Sequence, residues 1–273
     1  MFGKLIGFEF RSSIRMLAIV WAGLVASSIL FGLSLRIASS SDSFSLFSGI
    51  ITTVSTVLFM ALFITMIVIT VMIIVQRFYK GLLGEEGYLM HTLPVKEWQL
   101  ITSKGICATV YIVAGCLVGI LAILIVTAVT AGTTEFISFS DIRFVFSEYP
   151  STALVTFESI VILILAAVAF VYQVYTSLAV GQLVNKHRIL LAVGAFIGIN
   201  VIKSVIESIT VLTLGNSDAF GRKMEILFSS DTPDAFLIGG QPYILFIIAV
   251  IIIQIAVFHI VTERLLSLKL NLQ

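Results

Sequence analysis

Long apolar runs alternate with short polar segments along the whole chain. A helix that crosses a bilayer needs about 20 mostly apolar residues, and six stretches supply them: residues 16–35, 50–75, 105–131, 153–182, 189–212 and 243–262. Before the first of these, Phe2, Ile6, Phe10 and Ile14 recur every four residues, with Lys4, Arg11 and Arg15 on another face. That spacing predicts a basic amphipathic helix over residues 1–15, of the kind that lies in a membrane interface. A positively charged flank of the first span is the plainer reading of the same residues. The expected fold class is therefore an all-α membrane protein. It has six transmembrane helices in a single domain, with an interfacial amphipathic helix at the N-terminus.

Composition strengthens that pattern. Of 273 residues, 59% are hydrophobic and 11% charged, against about 45–50% and about 25% in soluble domains. A core of this length cannot hide so much apolar surface from water, so lipid is the expected partner along the spans. A net charge of +1 gives no clustered basic face for a nucleic acid. Cys107 and Cys116 read as small hydrophobes with neither metal-ligand nor disulfide spacing. The charged, aromatic first fifteen residues, with no small-residue cleavage site after the apolar run from Met16, do not read as a cleavable signal.

Orientation follows from Lys and Arg, which are enriched in cytoplasmic loops. Eleven fall in the N-terminal segment, the 77–104 connection, the turn at Lys186–Arg188 and the tail. Four (Arg36, Arg143, Arg222 and Lys223) fall in the other loops, and Lys203 lies inside a span. Both termini are thus expected in the cytoplasm of a multi-pass plasma-membrane protein. The 213–242 connection is long and extracellular on this count. Its piece Arg222–Phe228 could dip back as a re-entrant element, which membrane depth tolerates only beside protein or a water-filled cavity.

Catalytic chemistry is not assembled. Glu85–Glu86 resembles part of an intramembrane protease motif, but Met90 stands where that motif needs a basic residue. His91, His187 and His259 are scattered without metal-ligand spacing, so neither a catalytic nor a metal site is predicted. No G-x-x-x-x-G-K-[ST] string occurs either; Lys203–Ser204 lacks the preceding glycine and lies in a span. No cofactor is expected on this chain. If transport is ATP-driven, ATP and Mg belong to another polypeptide.

The segment 77–104 carries the most distinctive chemistry. Gln76–Leu83 is expected to continue the second helix outward and stop at Gly84. A turn then displays Tyr88, Leu89 and Met90. Pro94 opens a new helix, with Val95, Trp98 and Ile101 along one side and Trp98 at the interface. Such a surface helix with a projecting turn can slot into a partner's groove; an ordinary solvated loop fits the same residues equally well. The string GEEGYLMHTLPVKEWQLITSK resembles the cytoplasmic segment of ABC transporter permeases of the ABC-2 type, in particular those of Gram-positive bacteria. The match falls at Gly84, Glu86, Gly87, Tyr88, Thr92, Leu93, Pro94, Ser103 and Lys104. It is specific over about twenty residues and extends to the rest of the chain only through the general plan.

That resemblance implies a permease half of an ATP-driven exporter in the bacterial plasma membrane. The chain would pair with a second permease, identical or related, and with two ATP-binding subunits. The coupling contact would fall on Gly84, Glu85, Glu86, Gly87, Tyr88, Leu89, Met90, Leu93 and Pro94. The cargo implied is a peptide, drug or lipid-like molecule. Two other classes stay open on the residues alone: an ion-coupled carrier or channel acting without an ATPase, and a non-transporting membrane immunity or sensor protein.

Charges inside spans are rare and usually face protein or a cavity. Glu158 lies early in the fourth span, while Lys203 and Glu207 share a face of the fifth at i, i+4. By depth, Glu158 is expected to be able to approach Lys203, with an ion pair or snorkelling to the nearby outer surface as the favoured reading and a gate or substrate contact as the other. Asn200, Gln173 and Gln254 are further candidates for lining polar positions. Gly115-x-x-x-Gly119 and Gly194-x-x-x-Gly198 are candidate sites of close helix approach.

Overall fold

The computed structural model describes residues 2–40, 46–83, 97–132, 147, 150–184, 187–215 and 241–269. Among these, the chain is all helix with no strand. The elements are α1 (Phe2–Ser40), α2 (Leu46–Phe78) with a π-helical turn at Tyr79–Leu83, α3 (Glu97–Ala131), α4 (Pro150–Gly181), α5 (Arg188–Gly215) and α6 (Gln241–Lys269). Each of the six contains a segment long and apolar enough to cross a membrane, from Ser13–Ser39 in α1 to Gln241–Leu266 in α6. Large apolar side chains stand exposed on all of them, such as Ile19, Val57, Leu117, Ile160, Ile202 and Ile253. Water would not tolerate such continuous apolar surface; a bilayer does. This is a multi-pass membrane protein.

Local chemistry sets the helix ends. Pro150 and Pro242 sit in the first turns of α4 and α6, where a missing N–H costs nothing. Gly132 follows the last residue of α3 at φ +72°, the left-handed conformation that closes helices.

Two expectations meet a different geometry. The interfacial helix of residues 1–15 is helical but not separate, because α1 runs unbroken from Phe2 to Ser40 and no proline or paired glycine divides Arg15 from Met16. Its later part is fastened to other helices: Ser13 Oγ meets Arg77 Nε at 2.8 Å, and Tyr111 stacks on Phe10 and donates its hydroxyl to the Phe10 carbonyl. Likewise, the surface helix expected near Trp98 and the third span form one continuous helix, α3. Trp98 is exposed there, while Leu100, Ile101, Ser103 and Lys104 are buried.

The chain divides into two compact units, Met1–Phe78 with Thr102–Ser138, and Tyr79–Ile101 with Phe139–Gln273. The first is built on residues seven apart. Leu17 packs with Ile73, Cys107 and Tyr111; Leu24 packs with Phe59, Met66 and Ala122, joined by Phe31. The positions 17, 24 and 31 on α1 and 59, 66 and 73 on α2 form a coiled-coil-like seam. It ends in a hydroxyl contact, Ser34 Oγ to Ser55 Oγ at 2.6 Å.

In the second unit α4 is the central helix. Its residues 171–179 are buried on every face, and both α5 and α6 pack against it. The α4–α5 hairpin is closed by a near contact: a Cβ on Gly181 would lie 2.8 Å from the Ala192 Cβ and from the Arg188 carbonyl. At the turn, His187 has φ +59° and its carbonyl accepts the Leu191 N–H.

Candidate functional site: a polar groove on α4

α5 and α6 each pack on α4, and the three helices line a groove floored by α4. Its main cavity has a volume of about 610 Å³, within the range of small-molecule sites. The floor is Ala166, Ala169, Phe170 and Gln173, spaced as one helical face. One wall is the α5 stripe Phe196, Asn200, Lys203 and Glu207; the other is Phe246, Val250 and Gln254 of α6. The small alanines make the room, and the edge-on contact of Phe170 with Phe196, at 6.3 Å between centroids, shapes it.

A narrower slot of about 360 Å³ continues between α5 and α6. It shares Lys203, Glu207 and Gln254 with the main cavity and is otherwise lined by aliphatic and aromatic side chains, among them Ile199, Ile202, Ile253 and Phe258.

The polar groups in the groove are incompletely paired. Lys203 Nζ lies 3.8 Å from Glu207 Oε1, with both side chains at least a third exposed. Asn200 donates Nδ2 to the Phe196 carbonyl one turn back at 2.8 Å. Gln173, only 3% exposed, has a buried Nε2 with no hydrogen-bond partner among the described residues, and Gln254 Nε2 is in the same state. A buried unpaired amide costs about 1–3 kcal/mol. Past Gln173 the seam between α4 and α6 closes through Thr176 Oγ1 and Thr262 Oγ1 at 3.0 Å, with Thr176 also reaching the Phe258 carbonyl. Beside it His259 meets Tyr172 edge-on at 5.2 Å, its Nδ1 buried without a hydrogen-bond partner among the described residues.

Sequence reasoning placed Lys203, Glu207, Asn200, Gln173 and Gln254 in spans, and the fold brings all five to one groove. It does not bring Glu158. With Gly181 against Ala192 setting the hairpin register, Phe170 faces the Lys203 level, and Glu158 lies three turns away, about 18 Å along the helix at 1.5 Å per residue. Lys203 pairs within its own helix, and Glu158 Oε2 is buried without a hydrogen bond among the described residues.

Of the glycine pairs, Gly119 contacts Phe63, whereas Gly115, Gly194 and Gly198 have no neighbour within 4 Å; among the described glycines the tightest approaches are at Gly32 and Gly181, outside both motifs. The aromatic lining residues Phe170, Phe196 and Phe246 went unpredicted, since phenylalanines in apolar spans carry no signal until a neighbouring helix is placed. Among the described residues no three of His, Cys, Asp and Glu group together as metal ligands. The coupling candidates Gly84, Glu85, Glu86, Gly87, Tyr88, Leu89, Met90, Leu93 and Pro94 lie outside the described residues, as do Lys186 and the segment Arg222–Phe228.

No protein-family model, curated protein or solved structure matches this chain.

Proposed function

We propose that this chain is the membrane-spanning permease of an ATP-driven exporter and that the α4–α5–α6 groove is on its cargo pathway. The carrying observation is the groove itself: an ion pair and three carboxamides gathered at membrane depth in a chain that is otherwise overwhelmingly apolar. Polar groups in spans are costly and generally mark a pathway or a binding site. The resemblance of residues 84–104 to an ABC-2 permease segment supplies the rest of the reading. A separate ATP-binding subunit docks on the cytoplasmic 77–104 connection, a second permease completes the pathway, and both termini face the cytoplasm of a bacterial cell.

The compact units support this arrangement. The described ends of the connection, Tyr79–Leu83 and Glu97–Ile101, belong to the same unit as the groove helices. On this reading a pull on the connection acts on that unit and also on α2 and α3, with which its two described ends are continuous. ATP does work here only if it binds one arrangement of the complex more tightly than the other. The test is reconstitution with the partner ATPase. Tyr88→Ala and Pro94→Ala should insert normally yet lose cargo-stimulated ATP hydrolysis and efflux together, and unchanged coupling in both would refute the docking assignment.

A carrier working without an ATPase is the competing reading, and the Lys203–Glu207 pair in the groove is what favours it. It requires solute movement by the purified chain alone.

A further inference from the structure

We propose that the α4–α5–α6 groove takes a single-chain zwitterionic amphiphile from the bilayer, its head carrying an anionic acceptor and an ammonium donor, as in a lysophosphatidylethanolamine. The proposal rests on reading this groove as the cargo site and names the class of molecule it receives.

The head is specified by two charges that the cavity reaches. Lys203 and Glu207 line both the main cavity and the slot, and their side chains stay 37% and 56% exposed. They lie 3.8 Å apart, close enough to attract but outside the range of about 2.7–3.2 Å for an N–H···O bond. Among the described residues neither makes a hydrogen bond. The Lys203 ammonium thus has donors to give, and the Glu207 carboxylate has acceptors to offer. A head with a single charge would meet its opposite and, one helical turn away, its like. A zwitterion gives Lys203 an acceptor and Glu207 a donor at once, and both bonds are charge-assisted.

The tail is specified by depth. Glu207 lies near the Thr210 end of the span Arg188–Thr210, about 4.5 Å from it at 1.5 Å per residue. From there the slot reaches inward to Phe258 and to Ile199, at the middle of that span. Apart from Lys203, Glu207 and Gln254 its lining is aliphatic and aromatic. A charged end near the boundary and an apolar channel running towards the centre have the polarity of a lipid lying in one leaflet. At about 360 Å³ the slot is at the small end of ligand sites, which suits one chain rather than two. Ile202 and Ile253 are more than half exposed beside it, so the chain enters sideways without leaving an apolar medium. An apolar helix of a second copy would cover these isoleucines but would offer Lys203 no acceptor and Glu207 no donor.

The experiment uses the full chain in nanodiscs of phosphatidylglycerol. The probe is dodecyl phosphoethanolamine with a diazirine in its chain, photolysed to mark what the chain touches. Labelling is expected on the α5 and α6 peptides that line the slot, and unlabelled dodecyl phosphoethanolamine should compete it away saturably. Around Leu117, a lipid-exposed residue of α3, labelling should rise only linearly with probe. Dodecyl methyl phosphate and dodecylammonium each carry one of the two charges. At equal mole fraction in the bilayer they should compete at least about tenfold more weakly. Lys203→Met combined with Glu207→Leu should keep the slot labelling and lose the preference among the three heads, an outcome that an unfolded variant could not give.

Equal competition by all three heads would overturn the proposal, as would slot labelling that never saturates. So would disulfide formation between two copies carrying Ile253→Cys, with Cys107 and Cys116 changed to alanine, which would make the groove a helix interface. No ATPase is present in this assay, so its failure is separable from that of the exporter reading. Head-selective labelling by an amphiphile that neither stimulates the partner ATPase nor is exported would keep this inference and remove the groove from the cargo pathway. Coupled export that depends on Tyr88, with no head selectivity in the groove, would keep the exporter and overturn this inference.

Discussion

Lys203 and Glu207 illustrate what a charge in a membrane span needs. On a water-facing helix an i, i+4 pair contributes only about 0.3–0.5 kcal/mol. An unpaired charge at the centre of a span costs about 2.5–3.5 kcal/mol, and this pair sits off-centre in Arg188–Thr210. Its main effect is therefore to avoid a penalty. Lys203→Met and Glu207→Leu should each lower the melting temperature in detergent, and the double variant should recover most of the loss. Additive losses in that double-mutant cycle would show that the two side chains do not act as a pair. The pair was legible in the sequence because both members lie on one helix, where spacing alone decides adjacency. The Glu158–Lys203 pairing was not, because the register of α4 against α5 is set by Gly181 and Ala192 and no spacing within either helix encodes it.

At the scale of elements, hydropathy found all six helices but not where they stop. Each extends past its apolar window, as α1 does from Phe2 to Ser40, since backbone hydrogen bonding continues into polar residues that lipid would reject. Packing was legible only in part. The heptad positions of α1 and α2 were present in the sequence, but in spans where almost every residue is apolar a seven-residue repeat does not stand out. Glycine spacing misled for a related reason: a G-x-x-x-G pair says that a close approach is permitted, while the partner helix decides whether one occurs. Gly181→Leu should force α4 and α5 apart, costing on the order of 1–3 kcal/mol as overpacking does. Gly194→Ala, nearly two turns into α5 on its open face, should be neutral or slightly stabilising through helix propensity. Thermal unfolding of the two variants side by side checks this, and equal destabilisation would mean that Gly194 has a partner of its own in the membrane.

For the molecule as a whole, the informative fact is that the two described ends of the 77–104 connection are assigned to the unit containing α4, α5 and α6. If that connection is a handle that works the groove, its displacement should change access to the groove, since closely packed helices transmit strain. A cysteine placed as Ile253→Cys, with Cys107 and Cys116 changed to alanine, reports groove access through its rate of maleimide labelling. In the complex with the ATPase, a non-hydrolysable ATP analogue should change that rate severalfold. The same complex carrying Pro94→Ala should keep its basal labelling rate and lose the nucleotide response, since the groove is intact and only the connection is impaired. A nucleotide response that survives Pro94→Ala would place the coupling contact elsewhere on the chain. No response in either complex would mean that ATP does not act on this groove, and the polar residues of α4, α5 and α6 would then serve a ligand whose binding is independent of the motor.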